Sequence, residues 1–402
     1  METPENSAVL EITSTKAKFL LGFALSGQPY VLYYAEKPIR GLIKDGKIVD
    51  EAKVAALISS FSHIEDEALK VKIDASQVAL VLPPQGLQVF QDSKTSYVVD
   101  VSGVIGKIDV SNVMSLVKKE IVSGEAEIVD IVPDCFLLEG KGVYRYPPLG
   151  EKSNSITIQA KIHTLPKDIV YSYRKTAEKA GFRIKRKSVS PYLANQLLLS
   201  DKDMPDSCIY IDMGAGMTSI SLIGKGALYG TVCFPKGGDE LDSYLAASLK
   251  VDEDTARSLK ENFGYDLRFT SFAPPIFVGA DIEGNRIKIF SNQLNEAIKT
   301  YYEDYCGYLG GAITSLLSKQ GNPDSLSNLP LVLCGGSSCI NGLKDLLSPI
   351  QGSREIIHFI PKCIGGRDPG MVNLLGMLVA EGRYRGTLED DYHGVATLSR
   401  GK

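Results

Sequence analysis

The sequence predicts an α/β protein built from two related lobes, each a mixed sheet with flanking helices. Three observations carry this reading. The chain has 402 residues, more than a single core usually accommodates. Short apolar, β-prone runs alternate with amphipathic helical patterns along the whole length. One pattern, an apolar strand ending in a carboxylate, then small residues, then a second strand, occurs around Glu11 in LEITSTKAKFLLG and again around Asp212 in IDMGAGMTSISLI, near the start of each half.

Composition narrows the class. The apolar share is 44%, and 44 basic against 48 acidic residues leave a net charge of −4. Nothing in that balance favours a nucleic-acid partner. The seven cysteines are scattered with no C-x-x-C pair, which reads as reduced, buried thiols rather than a zinc or redox site. No apolar stretch approaches the ~18 residues of a spanning helix, and METPENSAVLEITST lacks the order of a signal peptide. A soluble, intracellular protein is expected.

In the first half, the pattern predicts strands at 8–12, 17–23 and 30–34, a helix carrying Val54, Leu57 and Ile58, and a buried strand at 77–82 that stops at Pro83-Pro84-Gln85-Gly86. The texture then changes up to about Leu165. A helix with Val113, Leu116, Val117 and Ile121 on one face, capped from Asp109 or Ser111, is surrounded by strands at 128–132, 135–138 and 156–162. This reads as a small inserted α+β unit. Pro166 opens an amphipathic helix that closes at Gly181. The basic residues Arg174 to Lys187 read as a solvated helix face and an edge strand.

The polar turn DKDMPD at 201–206 marks the middle of the chain. Beyond the repeated strand pair lie a strand at 229–234, helices from Asp239 and over 254–263, and an irregular section to about Asn285. A long helix follows, with Leu294, Ile298, Tyr301, Tyr305, Leu309, Ile313 and Leu316 on one stripe. A buried strand at 331–333 runs into CGGSSCING, and a final helix at 370–379 precedes a polar tail.

Four segments carry chemistry. Gly214 and Gly216 lack Cβ atoms, so their amides can face an anion directly. Asp212 suits that place if a magnesium ion held through water stands between it and a phosphate. Thr13-Ser14-Thr15-Lys16 offers hydroxyls, amides and an ammonium to the same cleft. Gly237-Gly238 stands at a helix N-terminus, and Gly335-Gly336-Ser337 lets a ring or ribose lie against bare backbone. Each alone could be a turn. Together, in this order, they describe a nucleotide held between two lobes.

At these residues the sequence resembles the actin, chaperone-ATPase and sugar-kinase superfamily, and within it the bacterial cell-division actin FtsA, over nearly the whole chain. Leu10 to Lys16 looks like the first phosphate motif, Asp212 to Gly216 the second, and LVLCGGSSCINGL the adenosine motif. Pro235 to Asp239 is similar to the family's P-x-G-G segment, and ARSLKENFG to its A-E-x-x-K-x-x-x-G helix. The resemblance implies an actin-like two-lobe fold of duplicated ribonuclease-H-like domains, with an FtsA-type inserted subdomain. It places the first lobe at 1–83 and 166–205, the insert at 84–165, the second lobe core at 206–240 and 326–358, its helical subdomain at 241–325, and a helix returning to the first lobe with the tail at 359–402. It implies that ATP contacts Ser14, Thr15, Lys16, Gly214, Ala215, Gly216, Thr218, Gly237, Gly238, Lys260, Gly335, Gly336, Ser337 and Ile340, with Mg near Glu11 and Asp212. It further implies a filament-forming scaffold at the inner face of the cell membrane, tethering the FtsZ ring through the FtsZ C-terminal peptide.

Departures are visible too. Glu11 and Thr13 stand where the family's first motif has aspartate and glycine, Met217 and Ser219 replace a Thr and an Asp, and Arg257 replaces the Glu of the helix motif. Nucleotide binding is therefore expected ahead of turnover, with hydrolysis slow or absent. Tyr301 occupies the place of an Arg that in FtsA often meets the acidic FtsZ tail. The ending GTLEDDYHGVATLSRGK lacks the apolar stripe of a membrane-lying helix, so membranes would be reached directly only through a segment removed, or through a partner. The rivals are a pilus-assembly actin homologue of the PilM type and a small-molecule kinase of the same superfamily.

Overall fold

The computed structural model describes residues 6–66, 71–120, 124–224, 226–269, 273–320 and 326–384. The first half opens with β1 (Ser7–Ile12), β2 (Lys16–Leu25) and β3 (Gln28–Pro38), followed by the short pair β4 (Ile43–Lys44) and β5 (Lys47–Ile48). Helix α1 (Glu51–Ile58), the hairpin of β6 (His63–Asp66) and β7 (Val71–Asp74), and β8 (Gln77–Leu82) come next. The segment expected as an insert comprises β9 (Gln88–Tyr97), α2 (Lys107–Glu120), β10 (Ala126–Leu138), β11 (Gly142–Tyr144) and β12 (Ser155–Pro166). Helix α3 (Lys167–Lys179), β13 (Arg183–Val189) and α4 (Ser190–Leu198) complete the half.

The second half carries β14 (Ser207–Met213), β15 (Thr218–Gly224), β16 (Ala227–Phe234), α5 (Gly238–Leu249) and α6 (Glu253–Asn262). A hairpin of β17 (Pro275–Ala280) and β18 (Arg286–Phe290) leads into α7 (Ser291–Ser318). Then follow β19 (Leu331–Cys334), the one-turn helices α8 (Leu343–Leu346) and α9 (Ser348–Gln351), β20 (Ile356–His358) and α10 (Val372–Tyr384).

The two principal sheets share one topology. The first has the order β13-β8-β1-β2-β3 and the second β20-β19-β14-β15-β16 when read in the same sense. In each, the central strand pairs antiparallel with the next in sequence and parallel with a later one. Glu11 lies opposite Lys18 and beside Val81, while Asp212 lies opposite Ser219 and beside Cys334. The duplication inferred from two sequence fragments is thus present at the level of strand order and register.

Central strands read as apolar runs because both faces are covered: all of β1 is buried. Helix α10 lies over β1, β2 and β8 and crosses α4. The crossing is close, since a Cβ on Gly376 would stand 2.0 Å from the Leu193 carbonyl oxygen. In α7 the whole predicted stripe from Leu294 to Leu316 is buried.

Some elements differ from expectation. The predicted strands 128–132 and 135–138 are one strand, β10, with register shifts between Ile128 and Asp130 and between Pro133 and Cys135. Pro133 cannot donate to the ladder, so the sequence there imitates a break. Strand β9 was not predicted, because its polar sequence forms an edge with one exposed face. Helix α2 begins at Lys107, so Asp109 is not its cap residue. It sits in the first turn, 1% exposed, and its carboxylate accepts from the amides of Gly106 at 2.8 Å and Val99 at 2.7 Å. The section from 241 to 325 is not wholly helical, since β17 and β18 lie inside it. The polar tail beyond Tyr384, on which the expectation about a membrane helix falls, lies outside the described residues.

Candidate functional site

The turn between β1 and β2 closes on itself. The Thr13 amide and hydroxyl donate to the Lys16 carbonyl at 2.8 and 2.9 Å, and the Lys16 amide donates back to the Thr13 hydroxyl at 3.2 Å. Thr13 does not have positive φ, so the turn is made without the glycine of the family motif. This leaves the Ser14 hydroxyl facing the other half. It accepts from the Gly216 amide at 3.1 Å, joining two motifs that are 202 residues apart.

The second-half loops are laced together behind that contact. The Gly214 amide donates to Met217 O at 2.9 Å, and Gly214 O accepts from the Gly238 amide at 3.1 Å and the Ser337 hydroxyl at 2.9 Å. The Asp239 amide donates to Ala215 O at 2.9 Å. A Cβ on Gly237 would lie 2.4 Å from Ala215 O, and one on Gly335, whose φ is +85°, would lie 2.4 Å from Asp212 Oδ1. Part of the glycine requirement therefore comes from backbone meeting backbone. Of the Gly237-Gly238 pair expected to offer amides at a helix N-terminus, the Gly238 amide holds the Gly214–Ala215 loop instead, as does the neighbouring Asp239 amide.

Between the halves is a cleft of about 470 Å³, within the range of small-molecule sites. Its walls include Glu11, Ser14, Thr15, Lys16, Asp212, Gly214, Ala215, Thr218, Gly237, Gly238, Lys260, Gly335, Gly336, Ser337 and Ile340. Gly216 stands at the edge with its amide turned to Ser14.

Several side chains are engaged otherwise than expected. Lys16 turns to Glu36 at 2.5 Å. Thr218 is buried, its hydroxyl shared between Lys236 O and the Tyr305 hydroxyl, each at 2.8 Å. Lys260 pairs with buried Asp242 at 2.5 Å and donates to Gly238 O at 3.1 Å. Arg257, the departure from the helix motif, grips the same Asp242 at 2.8 Å. Both oxygens of Glu11 have protein partners, Lys18 at 3.1 Å and Asn373 at 2.8 Å, so it is a poorer candidate metal ligand than Asp212. Tyr301 does not offer an outward contact. It is 6% exposed, donates to Glu240 at 3.1 Å and packs against Tyr244, Tyr302 and Tyr305 on the cleft wall.

Sequence reasoning missed Lys18, Arg40, Asp242 and Asn373. Lys18 was recoverable, since strand alternation puts it on the same face as Lys16. The others reach the cleft from segments with no motif.

Electrostatics centre on Asp212. Burial, with Glu11 nearby, pushes its carboxyl up to about 6, against the opposing pull of Lys18 and Asn373. Burial works to lower the Lys18 pKa, but the charge and hydrogen bond of Glu11, helped by Asp212 and Asp368, carry it above its ordinary value. Among the described residues each cation lining the cleft faces a carboxylate: Lys16 with Glu36, Lys18 with Glu11, Arg40 with Asp239 at 3.2 Å, and Lys260 and Arg257 with Asp242. Asp212, Glu261 and Asp368 line it as well. Such a donor set suits a hard divalent cation at Asp212, bound partly through water. No group of three or more His, Cys, Asp or Glu side chains that could hold a metal by themselves occurs among the described residues.

Two sheets of one topology facing each other across such a cleft define the actin-like ATPase fold. The solved structures agree. The PilM-PilN type IV pilus biogenesis complex matches with a TM-score of 0.60 at 16% identity, covering 94% of this chain and 98% of that one. MreB5 of Spiroplasma citri bound to ADP matches with a TM-score of 0.54 at 13% identity, covering 94% and 96%.

Along nearly its whole length the chain is similar to cell division protein FtsA. It is 25% identical to that of Streptococcus pneumoniae serotype 2 over 372 residues, 92% of this chain and 78% of the relative. It is 26% identical to that of Enterococcus faecalis over 390 residues, 96% and 84%, and 24% to that of Bacillus subtilis over 386 residues, 94% and 84%. No family model matches the chain.

Proposed function

We propose that this chain is a nucleotide-binding actin-like protein of bacterial cell division, with a purine triphosphate and a magnesium ion held between its halves. The observation that carries this is the Ser14–Gly216 contact: both glycine- and hydroxyl-rich motifs converge on one cleft. The triphosphate would displace the Ser14 hydroxyl from the Gly216 amide and meet Lys18 at the cleft floor. Lys260, Gly336 and Ile340 would flank the nucleoside. Asp212 would hold the ion, which would neutralise phosphate charge that no unopposed protein cation can meet.

Among the described residues no cleft side chain is placed as an obvious base for water, so binding rather than turnover is the proposed role. Occupancy would stabilise the closed arrangement of the halves, and closed molecules would assemble head to tail as a scaffold under the membrane for the FtsZ ring. The FtsA relatives support the division role. The buried Tyr301 removes one route to the FtsZ peptide, so that contact would use another surface. Titration calorimetry with ATP and magnesium should give a one-to-one binding isotherm. Sedimentation with ATP and lipid vesicles should then pellet the protein. Absence of heat for any adenine or guanine nucleotide would remove the proposal, whereas rapid phosphate transfer to a metabolite without sedimentation would replace it by a kinase.

A further inference from the structure

The insert does not rest on the first half alone. Lys161 of β12, 8% exposed, places its ammonium 4.6 Å over the ring of Tyr229 on β16 and donates to Gln91 of β9 at 2.7 Å. The loop leading into the insert touches the second half as well. Pro84 O accepts from Cys233 Sγ at 3.7 Å, and the Gln85 amide meets Met217 Sδ, beside the Gly214–Gly216 loop. Strand β16 itself ends at the cleft. The Phe234 ring packs edge-on against Tyr305, whose hydroxyl binds Thr218. One edge strand therefore carries an insert contact at Tyr229 and a cleft-wall contact at Phe234.

We propose that β16 couples the insert to the cleft, so that a nucleotide between the halves orders the insert's sheet, and a partner bound to the insert changes nucleotide affinity by the same factor. The coupling rests on the nucleotide reading above. Its physical basis is geometric. The insert is covalently continuous with the first half and contacts the second through Lys161 and Tyr229. A rotation of one half against the other cannot leave both attachments unchanged. Any ligand that favours one closure state must then favour one arrangement of the insert, and linkage makes the effect reciprocal.

Hydrogen exchange on the full chain tests this, with and without magnesium and a non-hydrolysable ATP analogue, in the wild type, Tyr229→Ala and Tyr229→Phe. Tyr229 is exposed and is not among the described residues that line the cleft. In the wild type the nucleotide should slow exchange in the 214–217 loop and also, about fivefold or more, in β9 and β12. Tyr229→Phe keeps the ring face and should behave alike. Tyr229→Ala should keep loop protection, lose insert protection and bind nucleotide about fivefold more weakly. Should Tyr229→Ala fail to fold, Lys161→Met carries the same expectation. Loop protection without insert protection in the wild type overturns the coupling, as does undiminished insert protection in the alanine variant. No calorimetric heat and no loop protection would instead overturn the nucleotide reading, and the coupling with it.

Discussion

Asp212 is the residue at which the physical chemistry of the cleft is most concentrated. Its folded pKa of about 6 stands above the ordinary 3.8, so the folded protein holds that proton more tightly than the unfolded chain. The sign follows: the ionised carboxylate opposes folding. Stability of the ligand-free protein should fall as pH rises from about 4 to about 6 through this group, and level off above. Asp212→Asn should therefore stabilise the ligand-free protein by about 2 kcal/mol at pH 7, read as a higher midpoint in urea. The same substitution should abolish magnesium-dependent nucleotide binding. Metal binding requires the carboxylate form, so nucleotide affinity should also drop below pH 6, with proton uptake into buffer detectable by calorimetry in two buffers of different ionisation enthalpy. A carboxylate ending an apolar strand just before Gly214 and Gly216 already pointed to this aspartate. Its neighbour Asn373, which holds Glu11, arrives from α10 and left no local trace in the sequence.

At the scale of elements, two close approaches decide where glycine and carboxylate are needed. Gly376 on α10 faces the Leu193 carbonyl of α4 with no room for a methyl group. Gly376→Ala should cost about 2–3 kcal/mol by forcing the helices apart. Gly311 on α7 has open space around its Cβ position, so Gly311→Ala should instead add about 0.5–1 kcal/mol. Thermal melts of the two variants, run side by side, separate the effects. The joint between insert and first half is Asp130 of β10, 1% exposed, which accepts from the Ser188 hydroxyl at 2.8 Å and the Val189 amide at 3.3 Å. Asp130→Ala leaves those donors buried without a partner and should destabilise by about 2 kcal/mol, measurable by chemical denaturation. The change of texture after Pro83 falls where a separate four-stranded sheet, β11-β10-β12-β9, begins. The sequence did not mark β9, whose polar pattern is that of an edge strand, nor the continuity of β10 through Pro133.

For the whole molecule, charge balance sets the behaviour of the cleft. Each described cation lining it faces a carboxylate, so a bare triphosphate gains little attraction on entry. Chelating magnesium with EDTA should weaken ATP binding by about 100-fold or more, roughly 2.7 kcal/mol. Equal affinity for ATP with and without the ion, by calorimetry, would contradict that expectation. Arg40 and Asp239 face each other across the two halves with both side chains part-exposed, and such a pair contributes at most about 1 kcal/mol. In the ligand-free protein the Ser14–Gly216 contact joins the halves, and on the proposed reading the nucleotide takes its place as the bridge.

The sequence by itself determined the duplicated strand pattern, the long buried stripe of α7, and the motifs that converge on the cleft, because periodicity and glycine placement are local properties of the chain. Only tertiary structure decided which donors remain open. The amides of Gly238 and Asp239 hold a neighbouring loop, Lys16 turns to Glu36, and Tyr301 is enclosed by other tyrosines. Each outcome depends on partners distant in sequence, and a hydrogen-bonding group can be assigned to a ligand only after the fold has shown which protein groups reach it first.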